Sequence, residues 1–319
     1  MRQLATADST LLEAILDETY PIWGEGLSRS AYGAWNRAQM ATRWGRANLR
    51  RVVLTEEGTV VASAKRYDFD AVVGAESASV VGIGAVFTPP AMRNRGYARA
   101  LMETMVDDAV NRGCRYALLF SEIGSAYYES MGFRTIPRTL LSIEVIQKGG
   151  PPATFVRSGE TTDLPEIADI NRRYREGASF ALTRSPEQIE FSFTRRRLLA
   201  GLGPAGHRSV EFFVTEEGYR AVAYVFITHG PDGMVVEECG DRDPTGARLG
   251  AMMQVLAGRT PAETPQPMTA WLPPTFRPPQ IRVIGETPAR EIMMIRPLNG
   301  APMPATDTAP AIYWNTDTF

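Results

Sequence analysis

The sequence is poor in the two residue types that most often build metal sites and disulfide frameworks. It holds two cysteines, Cys114 and Cys239, and two histidines, His207 and His229, among 319 residues. Neither cysteine has a neighbour at metal-ligand spacing, so the sequence predicts no disulfide framework and no metal site. Both histidines belong to the second half of the chain, which excludes a histidine-based catalytic triad from the first half.

Long apolar runs and an excess of one charge are also missing. No run reaches the roughly 18 apolar residues of a membrane span, and Met1–Asp8 lacks the apolar core of a signal peptide. The net charge is −2 and the isoelectric point is near 5.9, whereas nucleic-acid binding needs a clustered basic face. The one dense basic run, Arg195–Arg197, has a helical pattern typical of a solvated face. We therefore expect a soluble, cytoplasmic protein that binds neither membranes nor nucleic acid.

The remaining composition is that of a globular protein with more than one domain. Hydrophobic residues make up 44% of the chain and charged residues 22%, and 319 residues exceed the roughly 100–200 of one domain. In the first half, periodicity and turn residues predict a mixed α/β fold. The predicted elements are an opening strand, helices at 9–20 and 28–42, strands at 49–56, 60–67 and 77–88, a helix at 96–112, a strand at 116–121, a short helix at 125–131 and a strand at 140–146.

The most informative segment is the turn between the strand at 77–88 and the helix at 96–112. It reads Arg93-Asn94-Arg95-Gly96-Tyr97-Ala98. A helix N-terminus presents unpaired N–H groups and partial positive charge, and Gly96 lets a ligand approach closely, so this turn suits a phosphate. Taken alone, it could also be an ordinary strand–turn–helix connection. The Walker and dinucleotide-binding glycine patterns are both missing.

A second segment follows about 30 residues later and reads Tyr127-Tyr128-Glu129-Ser130-Met131-Gly132-Phe133. The turn at 93–98 resembles the (Arg/Gln)-x-x-Gly-x-(Gly/Ala) motif of the GCN5-related N-acetyltransferases (GNAT). The later segment resembles that family's Tyr-x-x-x-Gly-Phe motif. Two motifs in the right order are more specific than either alone. The resemblance covers residues 1–147, where the predicted elements follow the order of the family's fold.

The resemblance implies acetyl-CoA as co-substrate, with no metal. The backbone of Val86, Phe87 and Thr88 would bind the pantetheine arm and polarise the thioester carbonyl. Ser121 stands where many family members have asparagine, which leaves its contact with the pantetheine arm open. The pyrophosphate would be held by Arg93 and Arg95 and by the N–H groups of Asn94, Arg95, Gly96, Tyr97 and Ala98.

Tyr128 occupies the family's general-acid position, since a phenol stays protonated near pH 7 and can donate to the departing thiolate. Two alternatives are that Tyr128 is a core aromatic residue, and that Tyr127 is the acid instead. Glu122 is a candidate base, because a partly buried glutamate can have a raised pKa, but it could instead cap a helix or pair with an arginine. Trp23, Trp35 and Glu25 are candidates for binding a cationic amine, although tryptophans at helical spacing are usually core residues.

Beyond a linker at Gly149–Pro152 the order of elements nearly repeats. The turn equivalent to residues 93–98 reads Asp241-Arg242-Asp243-Pro244-Thr245-Gly246, whose carboxylates disfavour phosphate. We therefore expect two tandem GNAT-like domains, at 1–148 and 153–300, the second degenerate, followed by a tail at 301–319. The predicted elements of the second half are strands at 155–157, 210–216, 219–228, 234–239, 268–272 and 291–296 and helices at 162–175, 186–199 and 245–256.

The tail at 309–319 is apolar and aromatic, unlike a frayed terminus. The layout resembles the enhanced-intracellular-survival type of aminoglycoside acetyltransferase, in which a terminal phenylalanine carboxylate serves as base. By that resemblance, the carboxylate of Phe319 or the side chain of Asp317 would reach the site beside Tyr128, where Asp317 is a candidate for binding the substrate. Packing of the tail at a domain interface or a dimer contact is the alternative.

Together these features predict an acetyl-CoA-dependent N-acetyltransferase acting on a primary amine of a small cationic molecule. Two alternatives stay open: a non-catalytic regulator that senses acetyl-CoA, and an acyltransferase that uses another acyl-CoA or a peptide amine. The acceptor and the oligomeric state do not follow from the sequence.

Overall fold

The computed structural model describes residues 1–146, 154–230, 233–259, 268–274 and 276–319. The linker predicted at Gly149–Pro152 lies outside these residues. The helices are α1 (Ser9–Trp23), α2 (Arg29–Ala41), α3 (Arg43–Asn48), α4 (Tyr97–Asn111), α5 (Ala126–Glu129), α6 (Leu164–Tyr174), α7 (Pro186–Leu202) and α8 (Ala247–Arg259). None of the described helices is both long and apolar enough to cross a membrane.

Strands account for most of the remaining regular structure. In the first half they are β1 (Arg2–Thr6), β2 (Leu49–Glu56), β3 (Thr59–Val73), β4 (Glu76–Phe87), β5 (Tyr116–Ser121), β6 (Arg134–Ile136) and β7 (Thr139–Val145). In the second half they are β8 (Val156–Ser158), β9 (Phe180–Leu182), β10 (Ser209–Glu217), β11 (Arg220–Gly230), β12 (Gly233–Asp241), β13 (Met268–Ala270), β14 (Ile281–Pro288), β15 (Ile292–Pro297) and β16 (Ala311–Ile312). The predicted mixed α/β class is confirmed.

The chain divides into two compact units that are not contiguous in sequence. Unit 1 consists of Met1–Pro137, Arg290–Thr306 and Phe319, and unit 2 of Arg138–Ala289 and Asp307–Thr318. This division differs from the boundaries expected at 148 and 153. The reason is that β7, from the first half, belongs to unit 2, whereas β15, from the second half, belongs to unit 1.

Unit 1 is built on a seven-stranded sheet with the order β1-β2-β3-β4-β5-β15-β6. β4 and β5 are parallel, and the other neighbours in this order are antiparallel. β15 lies between β5 and β6, with Ile292 opposite Ser121 and Pro297 opposite Tyr116. The strand predicted at 291–296 therefore exists, but it completes the sheet of the other half.

The two faces of this sheet have different coverings. On one face, Val81 and Ile83 of β4 and Leu119 of β5 share a buried core with α4. Because side chains alternate along a strand, the opposite face carries the intervening residues, including Tyr67 and Phe69 of β3. Trp44 of α3, which has 8% of its surface exposed, stacks on Phe69 with ring centroids 5.2 Å apart. Trp44 therefore has a packing role in unit 1.

Local signals explain why the helices of unit 1 start where they do. The side chains of Asp8, Ser28 and Thr42 each accept a hydrogen bond from the first turn of α1, α2 and α3. Such caps satisfy N–H groups that have no partner inside a helix. Glu57 and Gly58 join β2 to β3 with φ angles of 52° and 81°, the left-handed conformation of a two-residue hairpin turn.

Unit 2 contains a second seven-stranded sheet with the order β14-β7-β13-β12-β11-β10-β8. β12 and β13 are parallel, and the other neighbours are antiparallel. β9 and β16 pair with each other in parallel. The sequence pattern did not predict α3, β6, β9, β14 and β16.

Candidate active site

A bulge in β4 is the first feature of the candidate site. Phe87 lies opposite Ser63 and Gly84 lies opposite Lys65, so Ala85 and Val86 together face one residue of β3. Ala85 has a φ of 47°, an uncommon conformation for a residue with a side chain. A bulge turns backbone groups out of the ladder, and these groups can then bind a ligand.

The bulge lies where β4 and β5 separate. Val80–Gly82 pair with Tyr116–Leu118, although both strands continue beyond these residues. The backbone of Val86, Phe87 and Thr88 therefore borders an opening between two parallel strands. Phe87 has its side chain buried, so its backbone is the part that can face a ligand.

The turn after β4 leads directly into the N-terminus of α4. A short 3₁₀ turn at Pro90–Met92 precedes it, and α4 has no side-chain cap. Asn94 and Gly96 have φ angles of 62° and 76°. The first N–H groups of α4 therefore lack helical partners and can bind an anion.

Side chains around this turn divide into exposed cations and buried supports. Arg93, Asn94 and Arg95 are exposed, and Arg93 Nε donates to the carbonyl oxygen of Thr88 at 3.2 Å. The ring of Tyr97 packs in the core with its hydroxyl hydrogen-bonded to Glu56, so its backbone N–H is the group available to a ligand. The pKa of Tyr97 is raised, mainly by this hydrogen bond.

One polar atom at this place is buried without a partner. Thr88 Oγ1 has no hydrogen-bond partner in the described part of the chain. A buried hydroxyl left in this state is unfavourable unless a ligand or water completes it. A pantetheine arm in the opening beside it supplies amide and carbonyl groups that can do so. The residues present therefore fit CoA.

Tyr128 lies on α5 and packs against the core of unit 1. It is half-buried, whereas the neighbouring Tyr127 has 38% of its surface exposed. Burial raises the pKa of Tyr128, and Tyr127 adds to the shift. Arg99 of α4 donates to the carbonyl and hydroxyl oxygens of Ser130, which joins the start of α4 to α5. The raised pKa favours the protonated phenol of Tyr128, on a helix that is tied to the first turn of α4.

The end of β5 carries a group of carboxylates. Ser121 is buried and its hydroxyl donates to the carbonyl oxygen of Gly124 at 2.7 Å, which uses its proton within the loop. The Glu122 residue is exposed over part of its surface. Its pKa is raised, first by the burial of the rest and then by the negative charges of Glu291 and Glu25. Glu291 precedes β15 and could not be found from local patterns, because it is brought here by strand pairing with a distant segment.

Phe319 belongs to unit 1 and packs against β4 at Gly82 and Gly84. Its carbonyl oxygen is 3.1 Å from the position that a Cβ of Gly84 would occupy, next to the bulge. Its ring centroid lies 4.3 Å from that of Tyr67 and 5.1 Å from that of Phe120. The structure thus brings the terminal residue to the strand that carries the bulge.

The aromatic candidates for acceptor binding occupy unequal positions. Trp23 is half-buried and meets Phe87 edge-on, with ring centroids 6.3 Å apart. Trp35 has the Lys65 ammonium 5.5 Å from its ring centroid, so a cation of the protein itself already faces it. Glu25 is exposed and has a φ of 52°.

Asp317 does not join this group. It lies in unit 2, fully buried, where its Oδ2 accepts from the N–H of Trp314 at 2.8 Å and its Oδ1 lies 3.2 Å from Arg184 Nε. The predicted substrate contact of Asp317 is therefore corrected: a buried carboxylate paired with an arginine is not available to a substrate.

In unit 2 the turn before α8 satisfies its own N–H groups. Asp241 accepts from the N–H groups of Asp243 and Leu249, and Asp243 accepts from that of Thr245. Protein carboxylates therefore occupy the position in which a phosphate would bind. Across the ranges that the structure describes, no group of histidine, cysteine and acidic residues is arranged to hold a metal ion.

Comparisons with known proteins agree with this geometry. A family model for the acetyltransferase (GNAT) domain matches residues 16–136. Among curated proteins there is no match.

Solved structures with a similar fold include a probable N-acyltransferase from Enterococcus faecalis V583, at 12% identity and a TM-score of 0.68, over 93% of this chain and 72% of that chain. A GCN5-related N-acetyltransferase from Kribbella flavida has 16% identity and a TM-score of 0.65, over 94% and 72%. Eis1 from Mycobacterium abscessus has 14% identity and a TM-score of 0.54, over 93% and 74%. Residues 16–136 therefore match an acetyltransferase (GNAT) domain, and the chain shares the fold of these structures.

Proposed function

We propose that the chain is an acetyl-CoA-dependent N-acetyltransferase that modifies a primary amine of a small cationic molecule. The observation that carries the proposal is the continuous stretch from Val80 to Ala98. It combines a strand that separates from its neighbour, a bulge, a buried unpartnered hydroxyl on Thr88 and an uncapped helix N-terminus. Together they match the thioester, pantetheine and pyrophosphate of one ligand.

In this proposal the amine nitrogen attacks the thioester carbonyl carbon. A C–N bond forms, the C–S bond breaks, the amine loses a proton to a base and the departing thiolate takes one from Tyr128. Freed N–H groups at Ala85 and Val86 would stabilise the oxygen on which charge develops. The raised pKa of Tyr128 suits an acid that has to remain protonated until the thiolate leaves.

We assign the base to the Phe319 carboxylate ahead of Glu122. The terminal carboxyl group lies at Gly84, directly before the bulge that would hold the thioester. Glu122 has a raised pKa and so also meets the chemical requirement for a base. Its neighbours Glu291 and Glu25 give it a second use, because three nearby carboxylates attract a cationic acceptor.

The second unit is proposed to bind no cofactor, since Asp241 and Asp243 already occupy its helix N-terminus. Acetyl-CoA as co-substrate and buried, unpaired cysteines suit the expected cytoplasmic location.

The test is acetyl-CoA turnover against a panel of polyamines, aminoglycosides and amino-acid amides, with free thiol as the readout. Tyr128→Phe should lower kcat by about 10²–10⁴-fold, the usual contribution of a general acid. Tyr127→Phe is the matched control and should retain activity. Truncation after Thr318 should also lower kcat if the terminal carboxylate is the base.

Two outcomes contradict the proposal in different ways. Full turnover in Tyr128→Phe removes Tyr128 from the mechanism. Absence of thiol release with every amine, in a protein that still binds acetyl-CoA, favours the non-catalytic regulator.

A further inference from the structure

The ring of Phe319 fills one side of the opening between β4 and β5. Its centroid lies 4.3 Å from that of Tyr67, 5.4 Å from that of Phe69 and 5.1 Å from that of Phe120. Tyr67 and Phe69 lie on the sheet face opposite α4, and so does Phe120, because the adjacent Leu119 points into the α4 core. The terminal ring is thus part of the apolar lining of the candidate site.

Two glycines of β4 provide the room for this ring. A Cβ built on Gly82 would lie 2.7 Å from Cζ of Phe319, and one built on Gly84 would lie 2.9 Å from its Cδ2. Contacts this short are not tolerated, so a side chain at either position would displace the ring. The ring therefore occupies a space that the strand leaves open by having no side chains there.

The carboxyl group and the ring of Phe319 lie at different points along β4. The carbonyl oxygen is beside Gly84, next to the bulge, whereas the ring tip lies at Gly82, where β4 and β5 still pair. The far face is closed by the core that Ile83 shares with α4. The closed end of the opening is therefore bounded by packed core on one side and by the ring on the other.

We propose that the Phe319 ring limits the length of the acyl group that the enzyme transfers. The inference rests on the proposed function, in which the bulge at Ala85 holds the thioester carbonyl. An acetyl group ends one carbon beyond that carbonyl, whereas a butyryl or hexanoyl chain continues into the volume that the ring fills. One terminal residue then has two tasks: its carboxylate accepts a proton, and its ring determines acyl length.

The test separates these tasks in the chain of residues 1–319. Phe319→Ala keeps a terminal carboxylate at the same residue but removes the ring, and Phe319→Leu removes part of it. The kcat/KM values for acetyl-, butyryl- and hexanoyl-CoA are measured with one amine, and CoA and hexanoyl-CoA binding by calorimetry without amine. In Phe319→Ala the ratio of hexanoyl to acetyl kcat/KM should rise at least about tenfold, since single methylenes change specificity by roughly 10–200-fold.

If Phe319→Ala turns over poorly with every thioester, the binding measurements still test the inference. The variant should then bind hexanoyl-CoA about tenfold more tightly than the wild type does, with CoA affinity unchanged. Phe319→Leu should lie between the two.

Met105→Ala is the control for general loosening, because Met105 is fully buried in the core on the other face of the sheet. It should lower thermal stability and leave the acyl-length profile unchanged. An unchanged profile in Phe319→Ala, or an equal change in Met105→Ala, overturns the inference. A wild-type protein that binds no CoA at all overturns the proposed function instead, so the two failures are distinguishable.

Discussion

A Cβ atom on Gly84 would lie 2.9 Å from Cδ2 of Phe319 and 3.1 Å from its carbonyl oxygen. The terminal residue and the glycine thus occupy one space, and only one of them can have a side chain there. Gly84 precedes the bulge at Ala85, so any change at this glycine acts at once on the terminal residue and on the strand that would bind the thioester.

Gly84→Ala should therefore displace Phe319. Overpacking of this kind costs about 1–3 kcal/mol, and the loss of a positioned base should lower kcat more than it raises the KM for acetyl-CoA. Steady-state kinetics and urea unfolding measure the two effects. Gly201→Ala is the matched control, since a Cβ there has no neighbour within 4 Å. Equal kcat values for the two variants would contradict the assigned position of Phe319.

Arg93→Ala and Arg95→Ala should each weaken CoA binding about 10–150-fold, because a charge-assisted hydrogen bond contributes about 1.5–3 kcal/mol. Both guanidinium groups lie on the turn before α4, where the pyrophosphate would bind. Titration calorimetry with CoA and with pantetheine, which has no pyrophosphate, separates this contact from the rest. The stoichiometry should be one CoA per chain, because Asp241 and Asp243 fill the equivalent turn of unit 2.

Arg134→Ala is the control for these variants, since Arg134 is exposed on β6. Pantetheine affinity that falls as much as CoA affinity, or a second CoA on the chain, would count against the assignment.

Glu122→Gln should raise the KM for a cationic acceptor several-fold, on the order of 1 kcal/mol, with a smaller change in kcat. The raised pKa of Glu122 fixes the pH dependence. Above that pKa the carboxylate is charged and attracts the acceptor, and as the pH falls through it the attraction is lost. As the pH is lowered, the wild-type KM should therefore begin to rise at a higher pH than it would if Glu122 had the ordinary glutamate pKa of 4.5. A pH profile of KM that is the same in Glu122→Gln and wild type would refute this role.

Arg184→Met should destabilise unit 2 by about 3–5 kcal/mol, because it leaves buried carboxylates without a counter-charge. Arg184 Nη1 lies 2.6 Å from Glu238 and its Nε lies 3.2 Å from Asp317, and all three side chains are buried. Urea unfolding measures the change. Arg172→Met, which removes an arginine 65% exposed beside Asp169, should cost at most about 1 kcal/mol. Similar losses in both variants would contradict a special role for the buried cluster.

The strand, turn and helix at residues 76–111 could be predicted because their signals are local in sequence. The strand before the turn, the helix after it and the glycine between them lie within one segment, and α4 was predicted at 96–112 and runs from Tyr97 to Asn111. The hairpin strand predicted at 49–56 is β2. In each case the periodicity and the turn residues are sufficient to define the element.

The rest of the site depends on pairing between distant segments, which periodicity does not encode. β15 reads as a buried strand wherever it is inserted, so nothing in its residues predicts Glu291 beside Glu122. The bulge at Ala85 follows from the register with β3. Asp317 was misassigned because its partner Arg184 lies far away in sequence.

The exchange of β7 and β15 between units determines when this protein can fold during synthesis. β5 and β6 leave the ribosome well before β15, which lies between them in the finished sheet. Until then both strands have an unpaired edge, and such edges readily associate with other chains. The sheet of unit 1 is therefore completed only after β15 has been made, and the edges of β5 and β6 stay open to other chains until then.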